Sequence, residues 1–287
     1  VDLLDRRLLF VTGKGGVGKT TVAAALGLAA AAEGRRTLVC EVDAKGHLSD
    51  FLESGPASFI PHEVSPGLSV MAMDTEESLK EYLSLQLRVP LLARVGPLAR
   101  SLDFVASAAP GVKEILTVGK LCWEVREDNW DLVIVDASAS GHVVGQLAAP
   151  EAINELVKVG RVRDQTRWML DILSDPAVTG AVIVSAPEEM PVAETVELAG
   201  RIRTETQVEL ACVVVNRVLP ALFGRAEQEV FDTLSAPGPA AQLADAVDGP
   251  VTGVLDAARL AITLRSTRAA HLERLRADLG DGVPMLF

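Results

Sequence analysis

The eight residues Gly13-Lys14-Gly15-Gly16-Val17-Gly18-Lys19-Thr20 follow the pattern GxxxxGK[ST], a spacing suited to holding phosphates. Glycines let successive backbone N–H groups converge on anionic oxygens, and a helix that opens at the end of the loop adds the positive end of its dipole. Lys19 then reaches the β- and γ-phosphates as a point charge, the Thr20 hydroxyl is a ligand for Mg²⁺, and Thr21 faces the α-phosphate. Lys14 is a second lysine, early in the loop. Pointing out of its own loop, it is poorly placed to serve its own phosphates.

Three further residues stand where apolar runs end. Asp43 follows the run 37–42, and an acid at such a strand end can orient and deprotonate the water that attacks a γ-phosphate. Asp136 closes LVIVD, the usual place for an acid that holds Mg²⁺ through a water. Gly141, five residues on, can offer its backbone N–H to the γ-phosphate and so sense its presence. Asn216 ends CVVVN, and its amide carries the donor and acceptor that pair with the N6 and N7 edge of adenine. No Asp stands two residues later, so the expected nucleotide is ATP rather than GTP.

These residues need a frame that brings strand ends and one loop together. Strand-like runs fall at 8–12, 37–42, 68–73, 132–136, 181–185 and 211–215. Several are continuous in Val, Ile and Leu, as in strands covered on both faces. Helical segments lie at about 19–32, 76–87, 112–126, 151–159, 161–173 and 192–204. The alternation predicts an α/β fold with a doubly wound, mostly parallel sheet. Two stretches rich in helical pattern, 75–126 and 145–177, are expected to form an inserted helical subdomain on a single domain spanning 1–287. Within the first, VPLLARVGPL at 89–98 is apolar around much of its circumference. The stretch 235–250 reads as a loop with one short helix. A long amphipathic helix follows at about 255–278, with Leu260, Leu264, His271, Leu275 and Leu279 on one stripe among five arginines. The last residues, 283–287, read as the start of another strand.

Composition narrows the function. Of 287 residues, 49% are hydrophobic and 23% charged, with a formal net charge of −12. That is globular composition, and a field that opposes non-specific nucleic-acid binding. Three widely spaced cysteines, Cys40, Cys122 and Cys212, form no CxxC pair, so neither a disulfide framework nor a zinc site is expected. The longest uncharged apolar run, 22–32, falls far short of the ~20 residues that span a bilayer, and the first residues do not read as a signal peptide. The expectation is a cytoplasmic protein that is not integral to the membrane.

Together the motifs resemble the family of the arsenical pump-driving ATPase (ArsA) and the ATPase that targets tail-anchored membrane proteins. The family's loop GKGGVGKTT stands unaltered at 13–21, its first switch DPAHNLSD aligns on Asp43–Asp50, and its second switch DTAPTGH aligns on Asp136–His142. Its PGxxE element resembles 110–114, and its VVNQ adenine reader resembles 214–217. The resemblance implies Mg-dependent ATP hydrolysis by a nucleotide-gated dimer, with Asp43 positioning the water and Lys14 acting in trans. It further implies that His142 relays nucleotide state to the helical segments, which bind a protein client or membrane partner.

The departures are specific. Ala44 and Ala139 replace switch prolines, and the zinc-binding CxxC of the eukaryotic targeting enzymes is missing. Only five methionines are present, too few for the adaptable surfaces that accept varied hydrophobic helices. No cysteines follow the switches as the family's arsenite ligands do. A single phosphate loop means that pairing is intermolecular, as a homodimer or as a hetero-dimer with a related ATPase. Three other readings compete: a positioning or partition switch of the MinD or ParA kind, a weakly hydrolysing ATP-binding partner in a hetero-dimer, and a redox ATPase of the iron-protein type.

Overall fold

The computed structural model describes residues 2–42, 47–87, 111–221 and 223–287. Its strands are β1 (Leu8–Gly13), β2 (Thr37–Glu41), β3 (His62–Ser65), β4 (Leu68–Ala72), β5 (Leu132–Ala139), β6 (Thr179–Ser185), β7 (Leu210–Val215) and β8 (Met285–Leu286). They form one sheet in the order β3-β4-β2-β5-β1-β6-β7-β8. Every neighbouring pair is parallel except β3 with β4. The α/β fold with a doubly wound, mostly parallel sheet is therefore the one the sequence predicts.

The helices are α1 (Lys19–Ala32), α2 (His47–Phe51), α3 (Thr75–Leu87), α4 (Val112–Arg126), α5 (Ser140–Leu156), α6 (Arg161–Ser174), α7 (Glu189–Glu205), α8 (Arg225–Leu234), α9 (Pro237–Ala246) and α10 (Thr252–Leu279). Alternate strand residues feed two cores. Leu8, Phe10, Leu38, Cys40, Val133 and Val135 pack against the buried faces of α4, α5, α6, α7 and the end of α10. Leu9, Val11, Val39, Ile134, Val182 and Val184 face α1, which meets them with Ala23, Ala24 and Ala30. Small residues let α1 lie close to the sheet, which brings its first turn over the end of β1. Each fully buried Leu, Val or Phe contributes about 1.5–3 kcal/mol, so the centre of the sheet is strongly held.

Several elements differ from the sequence reading. β3 is a polar, half-exposed antiparallel edge strand and carries no apolar alternation to announce it. The helix expected from 151 starts at Ser140 and runs through Pro150. Its glycine-rich beginning and its proline both mimic a loop, whereas the helix is held by Val143, Val144 and Leu147 in the core. The sequence pattern predicts no helix where α8 lies, and in α10 only Leu275 and Leu279 are buried. Leu260 and Leu264, expected on the same stripe, remain exposed. The apolar stretch 89–98, Pro110 of the PGxxE element and the switch residues 43–46 lie outside the described residues. Among the described residues, no helix is long and apolar enough to cross a membrane.

Candidate functional site

Parallel strands deliver their C-terminal ends to one edge, and the candidate site lies there between β1, β2 and β5. The chain leaves β1 through Gly13, where φ is +141° and a Cβ would fall 2.2 Å from the carbonyl oxygen of Val184. Only glycine fits that approach. The loop closes at Gly18, which has φ +101° and precedes α1 with no side-chain cap. The first-turn N–H groups of α1 have no intrahelical partner and are the donors an anion would meet.

These residues wall a cavity of about 460 Å³, within the usual range for a nucleotide-sized ligand, ~300–1,000 Å³. Gly15, Gly16, Gly18, Lys19, Thr20 and Thr21 form one side, with Glu41, Asp136 and Ala139 opposite. The Thr20 hydroxyl donates to Asp136 Oδ2 at 2.6 Å, so two residues 116 apart in sequence meet. Lys19 Nζ donates to the carbonyl oxygen of Lys14 at 3.3 Å, which draws its stem across the loop. Val17 is buried beneath the loop.

Lys14 leaves the cavity wall. Its ammonium pairs with the Glu194 carboxylate of α7. Asn216 stands at the end of β7, where its Nδ2 donates to the Val17 carbonyl oxygen at 2.9 Å and its Oδ1 accepts from the Arg217 N–H at 2.8 Å. A Cβ at Gly18 would lie 2.3 Å from that Nδ2. Asn216 therefore braces the phosphate loop, and its amide already uses one donor and its acceptor within the chain. Gly141 and His142 are exposed on the first turn of α5, two and three residues beyond the last wall residue, Ala139. Asp43 lies outside the described residues.

Two features escaped the sequence reading. Glu41 is only 4% exposed, lines the cavity and pairs in register with Asp136 across β2 and β5. A charged residue closing the apolar run Leu38-Val39-Cys40 was its available signal. Glu194 sits in an ordinary amphipathic helix and left no signal.

The cysteines are all buried. Burial raises the Cys40 and Cys122 thiols above their ordinary value and pushes Cys212 up to about 11, there against the pull of Arg6. Among the described residues, no three His, Cys, Asp or Glu side chains gather to hold a metal ion.

A second cavity, about 210 Å³, opens between α3, α4, α5 and α6. Leu79, Ile115, Trp123, Trp168 and Met169 line it, and Tyr82 donates to Gln165 Oε1 at 2.5 Å on its wall. The buried Lys120 also faces it, bonded to Glu124 at 2.7 Å and Glu81 at 2.8 Å. Burial pulls the Lys120 pKa down, but the hydrogen bonds to Glu124 and Glu81 outweigh it and leave the ammonium above its ordinary value.

The family described as anion-transporting ATPases matches residues 6–170 and 158–229 of the chain. The ATPase BagA of Mycobacterium tuberculosis is 30% identical over 226 residues, covering 75% of this chain and 66% of that protein. A putative arsenical pump-driving ATPase of Halobacterium salinarum is 27% identical over 246 residues, 78% of this chain and 37% of the relative. The ATPase GET3 of Chaetomium globosum is 29% identical over 169 residues, 57% of this chain and 50% of the relative. The chain thus spans just under two thirds of the mycobacterial relative and half or less of the other two.

Proposed function

The chain belongs to the anion-transporting ATPase family, and from that premise we propose that it hydrolyses ATP with Mg²⁺ as a dimer that closes on nucleotide. The observation that carries this reading is the Thr20–Asp136 contact at the mouth of the glycine loop. A hydroxyl and a carboxylate at adjoining positions are hard oxygen donors, and such donors fit Mg²⁺. When bound, the cation neutralises charge on the β- and γ-phosphates.

In this reading the backbone of Gly13–Thr21 and the α1 N-terminus hold the phosphates, and Lys19 adds charge at the β- and γ-positions. Thr20 and Asp136 would hold the cation. Asp43 takes the proton of the attacking water, and Lys14 reaches the phosphates of the partner copy. Gly141 senses the γ-phosphate, and His142 passes its presence along α5. The helices drawn from 75–126 and 145–177 form the output unit, a subdomain that binds a protein client or membrane partner. Asn216 holds the loop while its remaining donor serves the adenine edge. The apolar cavity between α3, α4, α5 and α6 supports the output role, because α5 reaches it directly from Ser140 at the switch.

The test is Mg-ATP turnover by the purified protein across a range of concentrations, beside Asp43→Asn and Lys14→Ala. Turnover per molecule that rises with concentration, and that collapses in both variants, is the expected outcome. Tight ATP binding without turnover in the wild type would overturn self-sufficient hydrolysis and indicate a hetero-dimeric partner.

A further inference from the structure

Lys14 has a partner in its own chain. Its ammonium meets the Glu194 carboxylate, with both side chains about 30% exposed. The carboxylate is mounted rigidly. Its neighbour Thr195 donates to the Ser185 hydroxyl at 2.9 Å in the protein interior, which fastens α7 to the end of β6. Val192, one turn earlier on α7, is fully buried in the core. The loop that carries Lys14 is equally fixed, because Gly13 is threaded against Val184 of the same strand β6. Thus β6 anchors both members of the pair, and the lysine is drawn away from the cavity that Lys19 enters.

We propose that Glu194 is a positioning residue for Lys14, a latch that holds it in cis and must be released before two copies close on nucleotide. This rests on the reading in which Lys14 serves the partner's phosphates. A partner's triphosphate carries more negative charge than one carboxylate and can take the lysine over, whereas a nucleotide-free encounter cannot. The latch therefore makes dimer closure depend on ATP. An exposed ion pair is worth up to about fivefold in an equilibrium constant. Each dimer must break two, so the latch opposes closure by up to about 25-fold.

Glu194→Gln keeps the shape of the side chain and removes its charge. The expected result is half-maximal turnover at a protein concentration about tenfold lower than in the wild type, with the rate at saturating protein unchanged. Glu194→Asp should return the midpoint towards the wild-type value. An unchanged midpoint, or one that moves to higher concentration, would overturn the latch and make Glu194 either inert or a dimer contact. Amine-specific labelling of Lys14 in the nucleotide-free full-length protein, followed by mass spectrometry, provides the independent readout. Labelling should be several-fold faster in Glu194→Gln than in the wild type, and equal rates would show that Glu194 does not hold the lysine. Turnover per molecule that does not vary with wild-type concentration would instead sink the dimer reading. The labelling rates would still decide whether the pair forms.

Discussion

The two cavities are built on opposite principles. The one at the phosphate loop has glycine at the two positions where a Cβ would strike Val184 or Asn216, and charged or hydroxylic side chains, Lys19, Thr20, Thr21, Glu41 and Asp136, line it beside Phe51 and two alanines. The one among α3, α4, α5 and α6 is lined mainly by large apolar side chains, with an ion network at Lys120. Backbone geometry tolerates almost no substitution, because left-handed conformations and close approaches leave no room to relax. A side-chain-lined cavity can repack, and its cost is graded by volume. The first arrangement suits a ligand of fixed shape, and the second a surface that can adapt its side chains.

The sharpest way to break this comparison is to remove charge at the loop. Lys19→Ala is expected to lower turnover by about 10²–10³-fold while leaving the stability of the nucleotide-free protein within about 1 kcal/mol of wild type. A steady-state assay paired with urea unfolding reads both. Parallel loss of stability would mean that Lys19 is structural.

Gly18→Ala attacks the backbone instead. It combines a φ of +101° with a 2.3 Å approach to Asn216, so about 1–3 kcal/mol of stability should be lost, together with ATP binding by calorimetry. If ATP binding survives, the Asn216 brace is dispensable.

In the helical region, Met169→Ala should cost about 2–4 kcal/mol in chemical unfolding, since Met169 is buried between the second cavity and the core. The affinity for ATP should not change. A simultaneous change in affinity would sharpen the picture in another way, by revealing that the two cavities are energetically coupled.

The smallest effect is expected at the opposite edge of the sheet. The Asp131 carboxylate is held below its ordinary value, chiefly by side-chain and backbone hydrogen bonds from Arg36. Its contribution is therefore present above the normal carboxylate range and is lost as pH falls through the depressed value. Asp131→Asn should shift the thermal midpoint at neutral pH by about 2 °C or less. It should also remove a small part of the acid-side slope below the ordinary carboxylate range. An unaltered acid limb would show that the pair contributes nothing to stability.

How much of this the sequence carried depends on the range of the interaction. The central strands were readable because burial on both faces demands unbroken Val, Ile and Leu, as in LVIVD before Asp136. The pattern of the glycine loop could be read because it is local: glycine spacing, two lysines and one hydroxyl in eight residues. Strand β3 and the start of α5 were not readable, since an exposed edge strand needs no apolar pattern and a helix held by tertiary packing can begin in glycine and pass through proline.

What the sequence determined by itself is a pattern suited to nucleotide chemistry: a glycine-rich loop with the spacing that fits phosphates, and an acid, Asp136, in a buried strand of Val, Leu and Ile. Only the tertiary structure decided which distant groups those residues meet. Thr20 finds Asp136 because β1 and β5 are neighbours. Asn216 finds Val17 because β7 ends beside the loop, and Lys14 finds Glu194 because β6 carries α7 past it. Those meetings depend on strand order, and strand order is settled by long-range packing that no short stretch of sequence records.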